Sequence, residues 1–576
     1  MPKITRWLLI GLVLAAGVGH IGTSVAFTDQ SPRDQAMPTP PVGTASIAGR
    51  VVILIDRQLT PVRRALVTLQ SDGAAPVATD TDTDGRYRLD RLPAGVYRVV
   101  IDKPGFVPVL QGTRHAFDPP GSFDLKAEQA LTMDVEMQRG AALEGRVVND
   151  SGEPVVNFAV SAVRLTYGPH GKRPSLVRQA MTDDLGRYRI HTLPAGDYYI
   201  DAALDPKVVT GPITQVGGTG FARTYYPGTP RLEEARAVSV SVGQDLDRLD
   251  FTLTSVPLAK ITGSVIDSAG SPVANAGPVS DGAGRMTLPP PMMTVRLQAV
   301  GFSSVPVMSN TPMGRSEFGT AVVPPGDYWL MATVLSPSGG PPEFGVQRLS
   351  VNGQDLANVT IATGKSAVVT GHVEVDGRTS VVPANLQVLS FPTEFDLPTP
   401  PGGPAVGAPA NVGADGSFTL NGVFGPGVVQ LARLPVGWAV KSVWLGDREI
   451  TDAPVDFKPT PDPQSLRIVI TQGLGAVSGV LQNEQGRPVG ASRVVIFGHD
   501  DQEWGARSRF IKSVEAGADG RFSLDGLLPG DYFIAATDYL EDGSWMDPDV
   551  LWRLKPAALP VTVTAGQRLT VTLRVR

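Results

Sequence analysis

The sequence predicts an all-β chain, built as a tandem array of about five Greek-key-type β-sandwich domains of about seven strands each. Segments in which apolar and polar residues alternate recur along the chain, and turn residues separate them at short intervals. Gly and Pro supply 64 and 51 of the 576 residues, while 42% of the residues are hydrophobic. Many turns, together with enough apolar residues for several cores, favour short strands over disorder.

A strand that contains a glycine opens each repeat. The five glycines lie 96, 118, 108 and 108 residues apart, at Gly49, Gly145, Gly263, Gly371 and Gly479. Solenoid repeats are about 20–50 residues long, so this spacing indicates whole domains rather than stacked units.

Two further landmarks follow the glycine strand in a fixed order. An acidic turn leads into an alternating strand such as Asp84-Gly85-Arg86-Tyr87, which returns near Tyr188, Phe418 and Phe522. Alternation with period two is the pattern of a half-buried strand. A Leu-Pro-Gly turn comes next, and Pro and Gly suit the dihedral angles of such a turn. The strand after this turn begins near Tyr97, Tyr198, Tyr328 or Tyr532.

These landmarks divide the chain. The predicted segments are a signal peptide at 1–26, a flexible linker at 27–43, and sandwich repeats 1 to 5 at 44–139, 140–257, 258–364, 365–474 and 475–576. Repeats 3 and 4 are divergent, and their strand register stays open at this stage. Repeat 3 has Ser316-Glu317-Phe318-Gly319 in place of the acidic turn, and repeat 4 has no tyrosine after the turn at 424–428.

The N-terminus predicts export. Lys3 and Arg6 precede an apolar stretch, residues 7–18, and Ser24-Val25-Ala26 has the small residues of a cleavage site. An uncleaved membrane anchor is the alternative, but the apolar stretch is short for a bilayer about 30 Å thick. We therefore expect a secreted or periplasmic protein that does not insert into a membrane after cleavage.

Charge and cysteine content exclude several classes of function. The formal net charge is −6, without a basic stripe, which argues against nucleic-acid binding. The chain has no cysteine, so disulfides, thiolate metal sites and a cysteine nucleophile are excluded.

The glycine-containing strand, the Asp-Gly-Arg-Tyr/Phe strand and the Leu-Pro-Ala-Gly-x-Tyr turn together resemble the carboxypeptidase regulatory-like domain. The resemblance is strong in repeats 1, 2 and 5 and partial in repeats 3 and 4. It implies a transthyretin-like sandwich, a fold often grouped with carbohydrate-binding-like folds. The whole chain resembles an exported bacterial protein of several such domains, at the cell surface or in the periplasm.

Domains of this kind often accompany catalytic domains, but the sequence predicts none here. A zinc carboxypeptidase needs a histidine followed by a glutamate three residues later, and none of the six histidines has one. His-Glu-x-x-His and Gly-x-Ser-x-Gly are also missing from the sequence. We therefore expect a protein without enzymatic activity and without a cofactor.

A weak candidate for a calcium site lies in repeat 1. Asp80, Asp82 and Asp84 have the spacing that opens an EF-hand loop, but Arg91 stands where the loop needs its bidentate glutamate. The alternative, which the flanking strands favour, is that these residues cap a tight turn through side-chain hydrogen bonds.

Aromatic residues in loops are the candidates for recognition. Tryptophan and tyrosine can stack on the C–H faces of a sugar while nearby polar groups bind its hydroxyls. The candidates are Trp504, Tyr539, Trp545 and Trp552 in repeat 5, and Tyr225 and Tyr226 in repeat 2. The alternative is that these side chains fold back onto their own sandwiches. Trp438 and Trp444 stand among apolar residues, and we expect both in the core of repeat 4.

These features favour an exported, non-catalytic binding protein, with carbohydrate as the ligand class that the fold and the aromatic residues favour. Its partner would be a polysaccharide or a protein of the cell envelope or extracellular space. The alternative is an extended spacer or protein-interaction stalk, since five domains follow one another with short linkers.

Overall fold

The computed structural model describes residues 43–575, except 72–74, 111–116, 118–120, 169–170, 204–217, 275–278, 281–285, 288–292, 301–306, 309–315, 321, 336–341, 378–380, 394–407 and 459–462. The predicted signal peptide and all but the last residue of the predicted linker lie outside the described residues. Among the helices of the described part, none has the length and hydropathy needed to cross a membrane.

The described chain folds into successive pairs of β-sheets, each pair packed around its own apolar core. Repeat 1 contains β1 (Ala45–Ile55), β2 (Gln58–Pro61), β3 (Leu66–Ser71), β4 (Val77–Asp80), β5 (Arg86–Leu92), β6 (Gly95–Asp102), β7 (Val109–Leu110), β8 (Phe123–Leu125), β9 (Ala130–Thr132) and β10 (Val135–Glu136). Repeat 2 contains β11 (Ala141–Asn149), β12 (Ala159–Gly168), β13 (Gly171–Met181), β14 (Arg187–Leu193), β15 (Gly196–Ala203), β16 (Thr219–Phe221), β17 (Thr224–Tyr225), β18 (Val238–Val240), β19 (Asp245–Leu246), β20 (Phe251–Leu253) and β21 (Ser255–Pro257). The tandem β-sandwich fold that the sequence predicts is confirmed.

The remaining repeats follow the same plan. Repeat 3 contains β22 (Ile261–Ile266), β23 (Val279–Ser280), β24 (Met286–Thr287), β25 (Met293–Ala299), β26 (Val307–Met308), β27 (Glu317–Gly319), β28 (Gly326–Val334), β29 (Glu343–Val351), β30 (Leu356–Ala362) and β31 (Gly364–Lys365). Repeat 4 contains β32 (Ala367–Val375), β33 (Gln387–Pro392), β34 (Ala410–Asn411), β35 (Ser417–Val423), β36 (Pro426–Ala432), β37 (Ala439–Leu445), β38 (Arg448–Glu449), β39 (Val455–Asp456) and β40 (Gln464–Thr471). Repeat 5 contains β41 (Gly475–Gln482), β42 (Arg493–Gly498), β43 (Lys512–Glu515), β44 (Arg521–Leu527), β45 (Gly530–Thr537), α1 (Pro548–Leu554), β46 (Leu559–Val563) and β47 (Arg568–Arg574).

One strand arrangement is common to all five repeats. The first strand of each repeat lies between two neighbours: it pairs antiparallel with the strand that follows the turn and parallel with the last strand. In this register the glycine of the first strand stands opposite an aromatic residue. The pairs are Gly49 with Tyr87, Gly145 with Tyr188, Gly263 with Phe318, Gly371 with Phe418 and Gly479 with Phe522.

The glycine is required because a backbone carbonyl of the last strand region occupies the space of a side chain. A Cβ atom at Gly49 would lie 1.8 Å from the carbonyl oxygen of Met133, and one at Gly479 would lie 2.0 Å from that of Val571. The aromatic ring opposite also lies over the glycine, since the same Cβ atom at Gly479 would be 2.9 Å from the Phe522 ring. Only glycine fits between these two groups.

Tyrosine hydroxyls fix the two landmark strands to the backbone. In repeat 1, the Tyr87 hydroxyl donates to the Met133 carbonyl at 2.8 Å, the same carbonyl that lies over Gly49. A second set of tyrosines donates to the carbonyl four residues upstream. These bonds are Tyr97 to Pro93 at 2.9 Å, Tyr198 to Pro194 at 2.7 Å, Tyr328 to Pro324 at 2.8 Å and Tyr532 to Leu528 at 2.7 Å.

The divergent repeats keep the strand register. In repeat 3, Phe318 is 2% exposed and stands opposite Gly263, although the acidic turn before it is missing. In repeat 4, Phe418 stands opposite Gly371, and buried Val428 replaces the second tyrosine. The open question about register is thus resolved: the turn residues diverge, whereas the aromatic residue over the glycine is retained.

One core expectation is confirmed and one is wrong. Trp438 packs against the core of repeat 4. Trp444 lies outside that core and is partly exposed, with the Arg467 guanidinium 5.1 Å from its ring centroid. Its indole nitrogen donates to Ser442 at 2.9 Å.

Replacing Gly479 with alanine should destabilise repeat 5 by about 2 kcal/mol or more, because the added Cβ has no space and the strands must move apart. Hydrogen–deuterium exchange read by mass spectrometry should show faster exchange in β41, β44 and β47. Gly505→Ala is the matched control, because a Cβ there meets no atom within 4 Å. Equal exchange in the two variants would contradict the steric role of Gly479.

The buried tyrosines predict loss of stability in alkali. Burial raises the pKa of Tyr87 from 10.0 to about 12, and the Asp134 carboxylate adds to the shift. The neutral Tyr87 hydroxyl therefore contributes fully to the free energy of unfolding below pH 10, and this contribution is lost as the pH rises through about 12. The free energy of unfolding of Tyr87→Phe, measured with urea, should fall less steeply over this range than that of the parent chain. An identical pH dependence of the free energy of unfolding in both proteins would contradict the raised pKa of Tyr87.

Candidate ligand-binding surface

A segment that contains an α-helix joins β45 to β46 in repeat 5, and we call it the insertion. Residues 538–558 contain a 3₁₀ turn at Ser544–Met546, the helix α1 and a second 3₁₀ turn at Lys555–Ala557. The helix begins at Pro548 because the Asp547 carboxylate accepts the Asp549 backbone N–H at 3.0 Å and proline suits the first helical position. Sequence analysis missed this helix, although the Asp-Pro pair is its start signal.

The insertion covers the outer face of the second sheet of repeat 5. On β42, Val494 and Ile496 face the sandwich core, while Val495 and Phe497 face the insertion. The outward pair joins Trp504, Ile511 and Leu551 in a second small core. The strand β42 is therefore buried on both faces.

Two of the candidate tryptophans belong to this second core. Trp504 is 8% exposed, and its indole nitrogen donates to the Gly498 carbonyl at 2.7 Å. Trp545 packs partly buried against the same cluster, with the Arg493 guanidinium 4.7 Å from its ring centroid. Tyr539 is also partly buried. Trp504 and Trp545 thus form the support of the surface rather than its open face.

Trp552 is the candidate that faces solvent. Its residue is 50% exposed, while Leu551 beside it is fully buried. Neighbouring residues in a helix point about 100° apart, so the apolar run 550–552 divides between core and surface. The edge of Trp504 supports the Trp552 ring from below, with the ring centroids 5.2 Å apart.

Three more side chains extend the surface around Trp552. The Lys555 ammonium lies 4.5 Å from the Trp552 ring centroid and 5.2 Å from that of Phe533. The exposed His499 ring stacks on Phe533 at 4.8 Å and 23°. We call His499, Phe533, Lys555 and Trp552 the repeat 5 strip. Sequence analysis missed the first three, because they come from separate elements and only the fold brings them together.

The repeat 2 candidates are placed inside their own domain. Tyr225 is 2% exposed on β17. Tyr226 is partly buried against the repeat 2 core, with its ring edge-on to Phe251 at 6.4 Å. Both side chains are used in packing, in line with the structural alternative that the sequence left open.

The aspartates of repeat 1 form a turn. One Asp82 carboxylate oxygen accepts the backbone N–H groups of Asp84 at 2.9 Å and Arg86 at 2.7 Å, and Asp84 is paired with the Arg86 side chain. Asp183 makes the same two backbone bonds in repeat 2. Over the part of the chain that the structure describes, no three acidic or histidine side chains converge on a metal position.

Two segments, residues 46–138 and 142–254, match the family profile of the carboxypeptidase regulatory-like domain. Residues 46–138 and 142–254 are thus two carboxypeptidase regulatory-like domains in tandem. The match covers repeats 1 and 2 and confirms the resemblance that their glycine, tyrosine and Leu-Pro-Ala-Gly residues indicate. The same strand pairing in repeats 3 to 5 extends the architecture along the chain.

Two curated proteins are similar to this chain. Colossin-A of Dictyostelium discoideum is 20% identical over 509 residues, which cover 81% of this chain and 4% of that protein. A fibrinogen-binding protein of Staphylococcus epidermidis is 25% identical over 153 residues, which cover 24% of this chain and 14% of that protein. The chain spans only a small part of the length of these relatives.

Solved structures of bacterial pilins also align with parts of the chain. The minor pilin of Streptococcus agalactiae is 13% identical, with 37% of this chain and 97% of that chain covered and a TM-score of 0.20. The shaft pilin SpaA of Lactobacillus rhamnosus GG is 10% identical, with 37% and 98% covered and a TM-score of 0.17. TM-scores this low do not establish a shared fold, so the fold assignment depends on the strand pairing described above.

The turn role of Asp82 predicts that Asp82→Ala destabilises repeat 1 by about 1 kcal/mol, because two backbone N–H groups lose their acceptor. Added calcium should leave the thermal unfolding of the parent chain unchanged. Asp80→Ala, at an exposed strand position, is the control and should have a smaller effect. A rise in Tm with calcium that disappears in Asp82→Ala would instead support a metal site.

Proposed function

We propose that this chain is a non-enzymatic surface protein and that the repeat 5 strip binds carbohydrate. The Trp552 side chain carries the proposal, because this large aromatic residue is half exposed to solvent, with the Lys555 ammonium over part of its ring. A buried partner, Trp504, fixes its position from behind. A rigid, preorganised ring loses little entropy when a ligand stacks on it.

The polar groups around Trp552 suit the hydroxyls of a sugar. Lys555 offers donors over the Trp552 ring, and His499 lies at the other end of the strip. Exposed Asp500, next to His499, offers acceptors. An apolar face flanked by donors and acceptors matches the amphipathic surface of a sugar ring.

The location of the proposed activity is the cell surface or the space outside the cell. The predicted signal peptide and the tandem regulatory-like domains support export. A protein ligand is the second candidate, because one relative is named as a fibrinogen-binding protein. An extended spacer remains the alternative role for the domain string as a whole.

Trp552→Ala should weaken binding to a polysaccharide about tenfold, because the stacking face is removed. The purified chain is first screened on an array of glycans and polysaccharides, and the affinity for the strongest ligand is then compared between the parent and the variant. The matched control is Trp444→Ala, which removes a partly exposed tryptophan that lies beneath an arginine in repeat 4.

The outcomes separate the proposals. Loss of binding in Trp552→Ala, with normal binding in Trp444→Ala, supports the repeat 5 strip. No bound glycan, or equal binding by both variants, overturns the carbohydrate site. Binding to fibrinogen on the same surface, lost in Trp552→Ala, would favour the protein ligand.

A further inference from the structure

Repeats 2 and 5 touch each other although they are far apart in the chain. The contact joins the β12–β13 hairpin of repeat 2 to the 538–558 insertion of repeat 5, and one of its pairs, Lys172 with Asp549, is 377 residues apart. The domain string is therefore closed on itself in this structure. The contact has nothing to do with sugar binding and stands independently of the proposed function.

The first part of the contact is a shielded ion pair. Arg164 on β12 lies 2.9 Å from the Glu541 carboxylate, and the two side chains are only 17% and 23% exposed. A pair shielded in this way is less screened by salt than one on the open surface. The Arg164 guanidinium also lies 3.6 Å from the ring centroid of Phe117 in repeat 1, so three repeats meet at this side chain.

The second part lies at the end of the hairpin. The Lys172 ammonium is placed between two carboxylates of the insertion, Asp547 at 3.4 Å and Asp549 at 3.2 Å. The Asp547 carboxylate also caps α1, so a hydrogen bond within the insertion holds it in position. The backbones approach closely as well, because a Cβ at Gly543 would lie 3.1 Å from the Tyr167 carbonyl oxygen.

The charges across the contact are complementary. The hairpin supplies two cations, and the insertion supplies three carboxylates. Repeats 3, 4 and 5, which follow repeat 2 in the chain, also touch their neighbours. Arg509 of repeat 5 donates to the Lys441 carbonyl of repeat 4 at 2.6 Å. Phe344 of repeat 3 packs on Phe424 of repeat 4, with the ring centroids 5.5 Å apart. The insertion thus has its charged side on repeat 2 and its Trp552 side in solvent.

We propose that the hairpin and the insertion form an electrostatic latch that closes the domain string, and that the string opens when the latch charges are reversed or screened. Contacts between neighbouring repeats, such as Arg509 of repeat 5 with Glu449 and Asp452 of repeat 4 at 3.8 and 3.7 Å, complete the arrangement. Interfaces between domains of one chain commonly permit relative motion. The two Lys172 pairs are the more exposed, so they weaken most as the Debye length falls from about 8 Å at physiological salt to about 3 Å at 1 M. The shielded Arg164–Glu541 pair weakens less.

The absence of cysteine makes the test direct. Two dyes are attached through Asp184→Cys in repeat 2 and Glu484→Cys in repeat 5, both exposed positions, and single-molecule energy transfer is measured on the full chain. The molecules of the parent chain should show one narrow distribution of transfer efficiency. Arg164→Glu and Lys172→Glu should each shift it to lower transfer and broaden it, and salt near 1 M should shift the parent in the same direction.

A charge swap separates opening from misfolding. Arg164→Glu combined with Glu541→Arg restores opposite charges and should return the parent population, which a misfolded repeat 2 would not do. Arg178→Glu reverses an exposed charge farther along the same hairpin and should leave the population unchanged. Identical transfer in the parent, Arg164→Glu and Lys172→Glu overturns the latch, as does a swap that fails to restore the parent population.

Discussion

The close approach of a carbonyl group to a glycine is the constraint on which every domain of this chain depends. In each repeat the last strand lies parallel to the first, and one of its carbonyl oxygens occupies the space that a side chain would take. The glycine allows this approach, and an aromatic ring from the opposite neighbour closes over it. In repeats 1 and 2 the tyrosine hydroxyl binds that same carbonyl, at Met133 and Leu249, so a single oxygen joins three strands.

Much of the fold could be predicted from the sequence because this constraint is strict and recurs in every repeat. The recurring glycine strand and the turns that follow it were enough to predict five domains, including the two whose turns diverge. Phe318 and Phe418 stand where the tyrosines of repeats 1 and 2 stand. The acidic turn is only one way to bring the chain to that position, so its loss in repeat 3 left the pairing intact.

The candidate site was less predictable, because it depends on which way a side chain points within an unexpected helix. Leu551 and Trp552 look alike in an apolar run, yet α1 buries one and exposes the other. Lys555, His499 and Phe533 gave no signal, since none is unusual in its own segment. The contact between Lys172 and Asp549 could not be predicted from the sequence either. It depends on the placement of whole domains, and no pattern within either segment specifies it.

The parallel pairing of first and last strands also decides how a domain bears tension. In repeat 5, seven consecutive residues of β41 pair with seven of β47, from Ala476 with Arg568 to Gln482 with Arg574. A pull on the two ends of this domain slides the strands along each other, so the load falls on all the hydrogen bonds between them at once. Strands that are peeled apart from one end break these bonds one by one at low force. In repeat 5 the pairing of the first and last strands therefore has the geometry in which a pull on the two ends loads the hydrogen bonds in shear.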